Sequence, residues 1–192
     1  LDLLNKLESN AQLAKRPDLI VHAILWHDVI YNTHVKNPDG SVTNRPDALN
    51  VEDSALAFEN EKINLSEEDS RKVAQMVRAT SGHKISLNLY HPDYNDMALF
   101  LDLDLSVLAD PYDTFFQKTK GIRFEYPHIN NRDFCVRRAD FLDQYSGKEQ
   151  LFFHPVTAAA YDATARDNMR RQAYDLRQLV ACTKPGEHFQ FK

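Results

Sequence analysis

Residues 17–31, PDLIVHAILWHDVIY, carry the pattern that decides the predicted fold. Apolar side chains occupy nearly every face of this helix, which is typical of a helix buried in a protein interior. His27 and Asp28 interrupt the apolar run in its second half. A carboxylate and an imidazole removed from water cost several kcal/mol unless a cation or hydrogen bonds receive them. The pair therefore indicates either a metal site or a structural His–Asp pair at the exposed end of the helix.

A second apolar helix is predicted over residues 96–109, DMALFLDLDLSVLA, and it contains Asp102 and Asp104. Side chains two residues apart on a regular helix diverge by about 200°, so only one of these carboxylates can face a given ion. The other is expected to cap or pair elsewhere. The alternative without a metal is that these acids pair with arginines such as Arg137 or Arg138.

Together the two helices resemble the HD superfamily of metal-dependent phosphohydrolases, in which an HD dipeptide and a later aspartate bind a metal ion. In particular, the chain looks like the small, stand-alone, predicted HD phosphohydrolases. Six blocks carry this resemblance and occur in order along most of the chain: ILWHDVIYN at 24–32, E-x-S-A at 52–55, ATSGH at 79–83, LFLDLDLSVLA at 99–109, IRFEY at 122–126 and AR-x-N at 165–168.

The resemblance implies an all-α, single-domain HD fold over residues 1–192, with the metal site between buried helices. The family pattern H…HD…D makes His27, Asp28 and Asp102 the expected ligands and leaves the second aspartate of the DLD run outside. The family's first histidine lies on the helix before the HD helix, and residues 1–14 contain none. We expect that the sequence lacks native N-terminal residues of that helix; the alternative is an incomplete site.

Imidazole and carboxylate ligands suit a divalent ion such as Mn²⁺, Mg²⁺, Fe²⁺, Co²⁺ or Ni²⁺. Such an ion polarises a phosphoryl oxygen and lowers the pKa of a bound water, which allows phosphoester hydrolysis near neutral pH. Asp28 is expected to orient this water as well. The resemblance also places Glu52 at the site, where it would orient the water or pair with a ligand histidine. The alternative for Glu52 is a glutamate on a helix surface.

His83 follows the residues ATSG and is the remaining histidine best suited to catalysis. Its expected role is phosphate contact, general acid for the leaving oxygen, or ligand of a second metal ion, against the alternative of a loop histidine facing water. Arg78, Lys84 and Arg123 are the candidate cations for the substrate phosphate, because its charge needs partners. Arg123 could instead form a structural pair with Glu125.

Elsewhere the pattern predicts helices and no convincing strand. The polar stretch 32–46 is predicted as a loop that either covers the HD pair or is a solvated surface loop. Five histidines in turn-like surroundings are predicted to lie at the surface: His34, His91, His128, His154 and His188. The helix that contains Asp102 and Asp104 is expected to begin near residue 93, and the further helices are predicted over residues 47–62, 66–79, 110–126, 132–145 and 157–181.

The composition of the chain limits the number of domains and the classes of partner. A chain of 192 residues suits one domain, and a net charge of −5 with dispersed basic residues argues against a nucleic-acid polymer as the partner. No apolar stretch approaches the roughly 18 to 20 residues needed to cross a bilayer and no signal peptide is visible, which predicts a cytoplasmic protein without a membrane partner. Cys135 and Cys182 form no disulfide framework, and both are predicted to be small buried residues.

The expected function is therefore metal-dependent hydrolysis of a small phosphoester, a nucleotide or a related metabolite. One alternative is an HD fold that has lost catalysis and serves as a ligand-binding or interaction module. Another is a helical scaffold without metal, which would leave Asp28 and Asp102 in buried runs without a cation. The sequence does not indicate the oligomeric state.

Overall fold

The structure, a computed structural model, describes residues 2–182, most of which are helical. The predicted all-α class is confirmed for this range at that level, whereas the expectation of no strand is wrong because the range contains one short hairpin. His188 lies outside the described residues. The elements are α1 (Asp2–Ser9), a 3₁₀ helix (Ala11–Leu13), α2 (Pro17–Trp26), β1 (His34–Lys36), β2 (Val42–Asn44), α3 (Asp47–Asn60), α4 (Glu67–Ala79), α5 (Tyr94–Leu105), a second 3₁₀ helix (Ser106–Ala109), α6 (Tyr112–Glu125), α7 (Asn131–Ser146) and α8 (Pro155–Cys182).

The chain divides into two compact units between Asp104 and Leu105. All of α1 to α4 and all but the last residue of α5 belong to the first unit, and α6 to α8 belong to the second. The single HD domain expected over residues 1–192 stays a prediction.

In the first unit, α2 packs against α1, α3 and α4, and α3 packs against α4. α2 begins at Pro17, whose fixed φ suits the first helical turn. Leu19 and Ile20 are buried almost completely, as the apolar pattern predicts. Ser66 is the N-cap of α4, because its hydroxyl accepts the backbone N–H of Asp69 at 3.1 Å; this predicted cap is confirmed.

Helix α5 is the most buried element of the first unit. Met97, Ala98, Leu99, Phe100, Leu101 and Leu103 each expose 5 % of their surface or less. Burial on successive positions leaves no polar face, which agrees with the prediction from the sequence. The two aspartates of the DLD run therefore lie among apolar side chains.

A two-stranded antiparallel hairpin occupies the predicted loop 32–46. β1 pairs with β2 in the register His34↔Asn44, Val35↔Thr43 and Lys36↔Val42, and both strands are exposed. The hairpin is closed at its base, where the backbone N–H of Arg45 donates to the carbonyl of Thr33 at 3.0 Å. The sequence signal was weak because strands of three residues are shorter than any reliable alternation.

In the second unit, α7 and the second 3₁₀ helix pack against α8, and α6 contacts both the 3₁₀ helix and α8. Phe115, Leu142 and Met169 belong to its core. Cys135 is buried as predicted, but Cys182 is exposed at the end of α8, so the prediction for Cys182 is wrong.

Two side chains of the AR-x-N block stabilise the second unit. The guanidinium of Arg166 donates to the carbonyls of Ser146 and Lys148 at 2.6 and 2.8 Å, at the end of α7. The Nδ2 atom of Asn168 donates to the carbonyls of Leu108 and Asp110, both at 2.8 Å. These bonds satisfy backbone acceptors at helix ends, so this block has a structural explanation.

The surface prediction for the other histidines is confirmed for His34 and His91, which are exposed. It is wrong for His154, which exposes 7 % of its surface. The Nδ1 atom of His154 accepts the backbone N–H of Val156 at 3.3 Å, at the start of α8. Burial lowers the pKa of His154.

No helix within residues 2–182 is both long enough and apolar enough to cross a membrane.

Candidate functional site

His27 lies at the C-terminal end of α2, where its backbone N–H still bonds to the carbonyl of Ala23. The ring atom Nδ1 lies 2.9 Å from the carbonyl oxygen of Ile24. Because a carbonyl oxygen only accepts, Nδ1 carries the proton and donates it. The ring also makes an edge contact with Phe100, at 6.0 Å between centroids. These contacts fix the imidazole and leave Nε2 as the atom that faces the site.

Two carboxylates surround this Nε2 atom. Asp28 Oδ2 lies 3.4 Å from it and Asp104 Oδ1 lies 3.6 Å from it. Both separations exceed the roughly 2.7–2.9 Å of a direct charge-assisted hydrogen bond. In the neutral ring, the lone pair of Nε2 would point at two negative charges, which is unfavourable unless a proton or a cation lies between them.

His83 reaches the same site from the turn after α4. Its Nε2 atom donates a hydrogen bond to Asp104 Oδ2 at 2.9 Å. The N–H of Lys84 bonds to the carbonyl of Ala79, and that of His83 bonds to the carbonyl of Thr80, the two bonds of a Schellman helix end. His83 has φ 49°, a left-handed conformation that usually requires glycine at this position.

The conformation of His83 costs free energy, and such strain tends to persist where the surrounding structure requires it. Gly82, with φ 73°, is also left-handed, so two successive residues of this turn have positive φ. The ATSGH block thus brings an imidazole to Asp104. The alternative of a histidine that only faces water does not hold, because His83 bonds to Asp104, while its functional role stays a prediction.

The pKa values of the two carboxylates at the site shift in opposite directions. Burial would raise the pKa of Asp104, but the hydrogen bond from His83 and nearby positive charge, which includes that of Lys6, outweigh it and lower that pKa. The pKa of Asp28 is raised, first by desolvation and then by the negative charges of Asp104 and Asp47. Asp104 is therefore held ionised beside two imidazoles.

Asp104, the aspartate expected to lie outside the site, is 3.6 Å from His27 Nε2 and 2.9 Å from His83 Nε2, whereas Asp102 as a metal ligand stays a prediction. Asp102 is fully buried, and it projects from the other side of α5 because the two side chains diverge by about 200°. Desolvation and the negative charge of Asp102 raise the pKa of Tyr94. Leucines flank both aspartates, so the local sequence gave no signal to separate them.

The exposure of the carboxylates differs from what the sequence predicted. The Asp28 side chain is 60 % exposed, whereas that of Asp104 is 19 % exposed. The cost of burying a carboxylate is therefore greatest for the fully buried Asp102, and it is larger for Asp104 than for Asp28.

Glu52, predicted at the site, pairs with Arg78. The Nε and Nη2 atoms of Arg78 donate to Glu52 at 3.0 and 2.9 Å, and Nη1 and Nη2 donate to Glu59 at 2.6 and 2.9 Å. These bonds between α3 and α4 explain both side chains structurally. They also neutralise Arg78, which weakens its case as a cation for a substrate phosphate.

Arg123 is used within the connection between α6 and α7. Its Nε atom donates to Asn131 at 2.6 Å, and its two Nη atoms donate to the carbonyls of Tyr126 and Ile129, each at 2.8 Å. The guanidinium also lies over the ring of Phe134. The IRFEY block therefore has a structural explanation through these bonds of Arg123.

Ser54, Asn50 and Asp96 position the site and were not identified from the sequence. Ser54 Oγ accepts the N–H of Ile30 at 3.0 Å and donates to the carbonyl of Ile30 at 3.2 Å, which fixes the turn after Asp28. Asn50 binds the backbone of Asn32 in the same way at 3.1 and 3.0 Å. The polar positions on the inner face of α3 were the available signal.

The donor set suits a divalent ion of the predicted kinds. An imidazole whose second nitrogen donates to a carbonyl is the usual form of a metal-binding histidine. Two ligand atoms, each about 2 Å from one ion, stand roughly 3 to 4 Å apart, and the 3.4 and 3.6 Å separations at His27 agree with this spacing. Within residues 2–182, however, no three His, Cys, Asp or Glu side chains form a ready-made metal-binding group.

No family model, no curated protein and no solved structure matches the chain.

Proposed function

We propose that this protein is a metal-dependent phosphohydrolase of the HD type that acts on a small phosphoester, a nucleotide or a related metabolite. The observation that carries the proposal is the surroundings of His27 Nε2. The proton of this ring is on Nδ1, and two carboxylates stand at 3.4 and 3.6 Å from Nε2. A divalent cation between these atoms would remove the repulsion and satisfy all three groups.

In this proposal His27, Asp28 and Asp104 bind the ion. When bound, the ion supplies Lewis-acid polarisation of a phosphoryl oxygen and an activated water. His83 positions Asp104 through the 2.9 Å hydrogen bond and is the candidate general acid for the leaving oxygen. Glu52 has no part in the proposal, because its carboxylate is bound by Arg78.

The test measures phosphate release from nucleoside phosphates, sugar phosphates and p-nitrophenyl phosphate. The chelator-treated chain is supplied in turn with Mn²⁺, Mg²⁺, Fe²⁺, Co²⁺ and Ni²⁺. We expect release with at least one pair of substrate and ion, and its loss in Asp104→Asn, which removes the ligand charge at nearly constant shape. Asp39→Asn, in the exposed hairpin turn, is the control and should keep the wild-type rate. Release that survives both chelation and Asp104→Asn would overturn the proposal.

His83 is tested separately. His83→Ala should leave metal binding in place and slow turnover by roughly 10² to 10⁴-fold if the imidazole is the general acid. An unchanged rate would remove His83 from the mechanism and keep the metal ligands.

The second candidate is a non-catalytic HD-type module that binds a phosphorylated ligand. The direct contact between His83 and Asp104 favours it, because this bond satisfies the carboxylate without a metal ion. Nucleotide binding without turnover, under every ion of the test above, would support this candidate over the enzyme.

A further inference from the structure

A cavity of about 400 Å³ lies in the first unit between the end of α4, the turn that follows it and the start of α5. This volume is near the lower end of the roughly 300–1,000 Å³ of small-molecule sites. A single small molecule would therefore fill it. The turn contributes Ser81, Lys84, Ser86 and Leu87 to the wall, and α5 contributes Met97.

The chemistry of the wall favours an anion. None of the residues that line the cavity is acidic, and two are cationic, Arg78 and Lys84. Arg78 is already neutralised by Glu52 and Glu59. In the described part of the chain, the ammonium of Lys84 makes no hydrogen bond or ion pair with another side chain. A lysine that faces a cavity without a counter-charge is suited to a phosphate.

The turn also connects this cavity to the candidate metal site. Ser81 and Lys84 flank the left-handed pair Gly82 and His83, and His83 donates to Asp104. The Cε atom of Lys84 lies 3.9 Å from where a Cβ of Gly82 would be, so the lysine folds back over the turn. The short segment 81–84 thus carries both Lys84, which lines the cavity, and the imidazole of His83, which donates to Asp104.

We propose that this cavity is the binding subsite for the phosphorylated substrate. Lys84 contacts the phosphate, the hydroxyls of Ser81 and Ser86 add hydrogen bonds, and Leu87 and Met97 contact an apolar part such as a base. The ligand class is a small monophosphate with one apolar group. The inference rests on the proposed function for the identity of the ligand as substrate, while the cavity and its charge stand independently of the metal.

The test uses adenosine 5′-monophosphate and inorganic phosphate as probes in equilibrium titrations of the metal-free and Mn²⁺-supplemented chain. Lys84→Ala should weaken the binding of both probes by tenfold or more, because a charge-assisted contact is lost. Lys84→Arg should restore most of the affinity. Leu87→Trp, which fills the cavity, should weaken the nucleotide more than inorganic phosphate. The control is Lys36→Ala, an exposed lysine on β1, which should bind both probes as the wild type does.

The titrations distinguish failure of the proposed subsite from failure of the proposed metalloenzyme. Nucleotide binding that is indifferent to Lys84→Ala and Leu87→Trp, or no binding of either probe, would overturn the subsite. Loss of binding in these variants with Mn²⁺ binding unchanged would support it. Nucleotide binding that needs Lys84 in a chain that binds no Mn²⁺ would support the subsite and overturn the metalloenzyme.

Discussion

Asp96 and Asp104 lie eight residues apart on α5 and contact opposite ends of α2. Asp96 accepts the backbone N–H groups of Lys15 and Arg16, both at 2.8 Å, just before α2 begins. Asp104 stands 3.6 Å from the imidazole of His27, just after α2 ends. One helix therefore sets the position of the other at both ends, and this fixes His27 relative to Asp104.

Removal of the charge at Asp96 should destabilise the fold. Asp96→Asn should lower the free energy of unfolding by about 1–3 kcal/mol, because a 4 % exposed side chain loses two charge-assisted hydrogen bonds to backbone groups. Urea denaturation measures this. Asp18→Asn is the matched control, because Asp18 pairs with Arg16 through a carboxylate that is 56 % exposed, and it should cost less than about 0.5 kcal/mol. Equal effects of the two substitutions would contradict this role for Asp96.

The strain at His83 predicts a difference between two substitutions. His83→Ala and His83→Gly both remove the imidazole and its bond to Asp104, so only the backbone preference distinguishes them. At φ 49° the glycine variant should be more stable than the alanine variant by about 1 kcal/mol. Denaturant midpoints of the two variants provide the measurement. An alanine variant as stable as the glycine variant would mean that the turn is not left-handed in solution.

The cluster of Arg78 with Glu52 and Glu59 predicts a pH dependence of stability. Hydrogen bonds from Arg78 lower the pKa of both glutamates below the ordinary 4.5. Groups with a lowered folded-state pKa contribute stability above the unfolded pKa and lose it as the pH falls through the folded pKa. The stability gap between wild type and Arg78→Met should therefore be larger at pH 7 than at pH 3.

Urea denaturation at both pH values measures this gap. Arg71→Met, on the same helix, is the control, because no hydrogen bond joins Arg71 to a carboxylate in the described structure. Its gap should change less with pH. A gap for Arg78→Met that is the same at both pH values would argue against the cluster.

The two cysteines should differ in reactivity. Burial raises the pKa of Cys135 to about 11, whereas Cys182 is exposed on the last helix. A thiol reagent such as DTNB should modify one thiol per native chain quickly and the second only on unfolding. In Cys182→Ser the fast phase should disappear. A fast phase that remains in this variant would place Cys135 at the surface.

Much of the helical frame could be predicted from the sequence because its causes are local. Apolar side chains on nearly every face predicted the burial of α5, and Ser66 predicted the start of α4 through its cap. For the helix predicted over residues 17–31 the prediction is only partly right, because α2 ends at Trp26 and Leu25 is 57 % exposed. Charged groups in two apolar runs also predicted that His27 and a carboxylate of the DLD run lie close together, whereas metal binding there stays a prediction. The bonds of Ser54, Asn50 and Asp96 could not be predicted, because each joins residues that are distant in the sequence.

The sequence could not predict whether Asp102 or Asp104 lies beside His27. Both lie among leucines on one helix, and local preference treats them alike. The contacts of Asp104 arise from the position of α2 and of the turn after α4, which bring His27 and His83 to this aspartate. Arg123 and Glu52 show a similar limit, because a charged side chain that binds backbone carbonyls or an arginine has the same sequence signature as one that binds a substrate.

The most direct test of the account is a Mn²⁺ titration, followed by the EPR signal of the free ion, on the wild type, Asp104→Asn and Asp102→Asn. We expect one saturable Mn²⁺ site in the wild type, its loss in Asp104→Asn, and its retention in folded Asp102→Asn. Binding that is retained in Asp104→Asn and lost in Asp102→Asn, or absent from the wild type, would contradict a metal site formed by His27, Asp28 and Asp104.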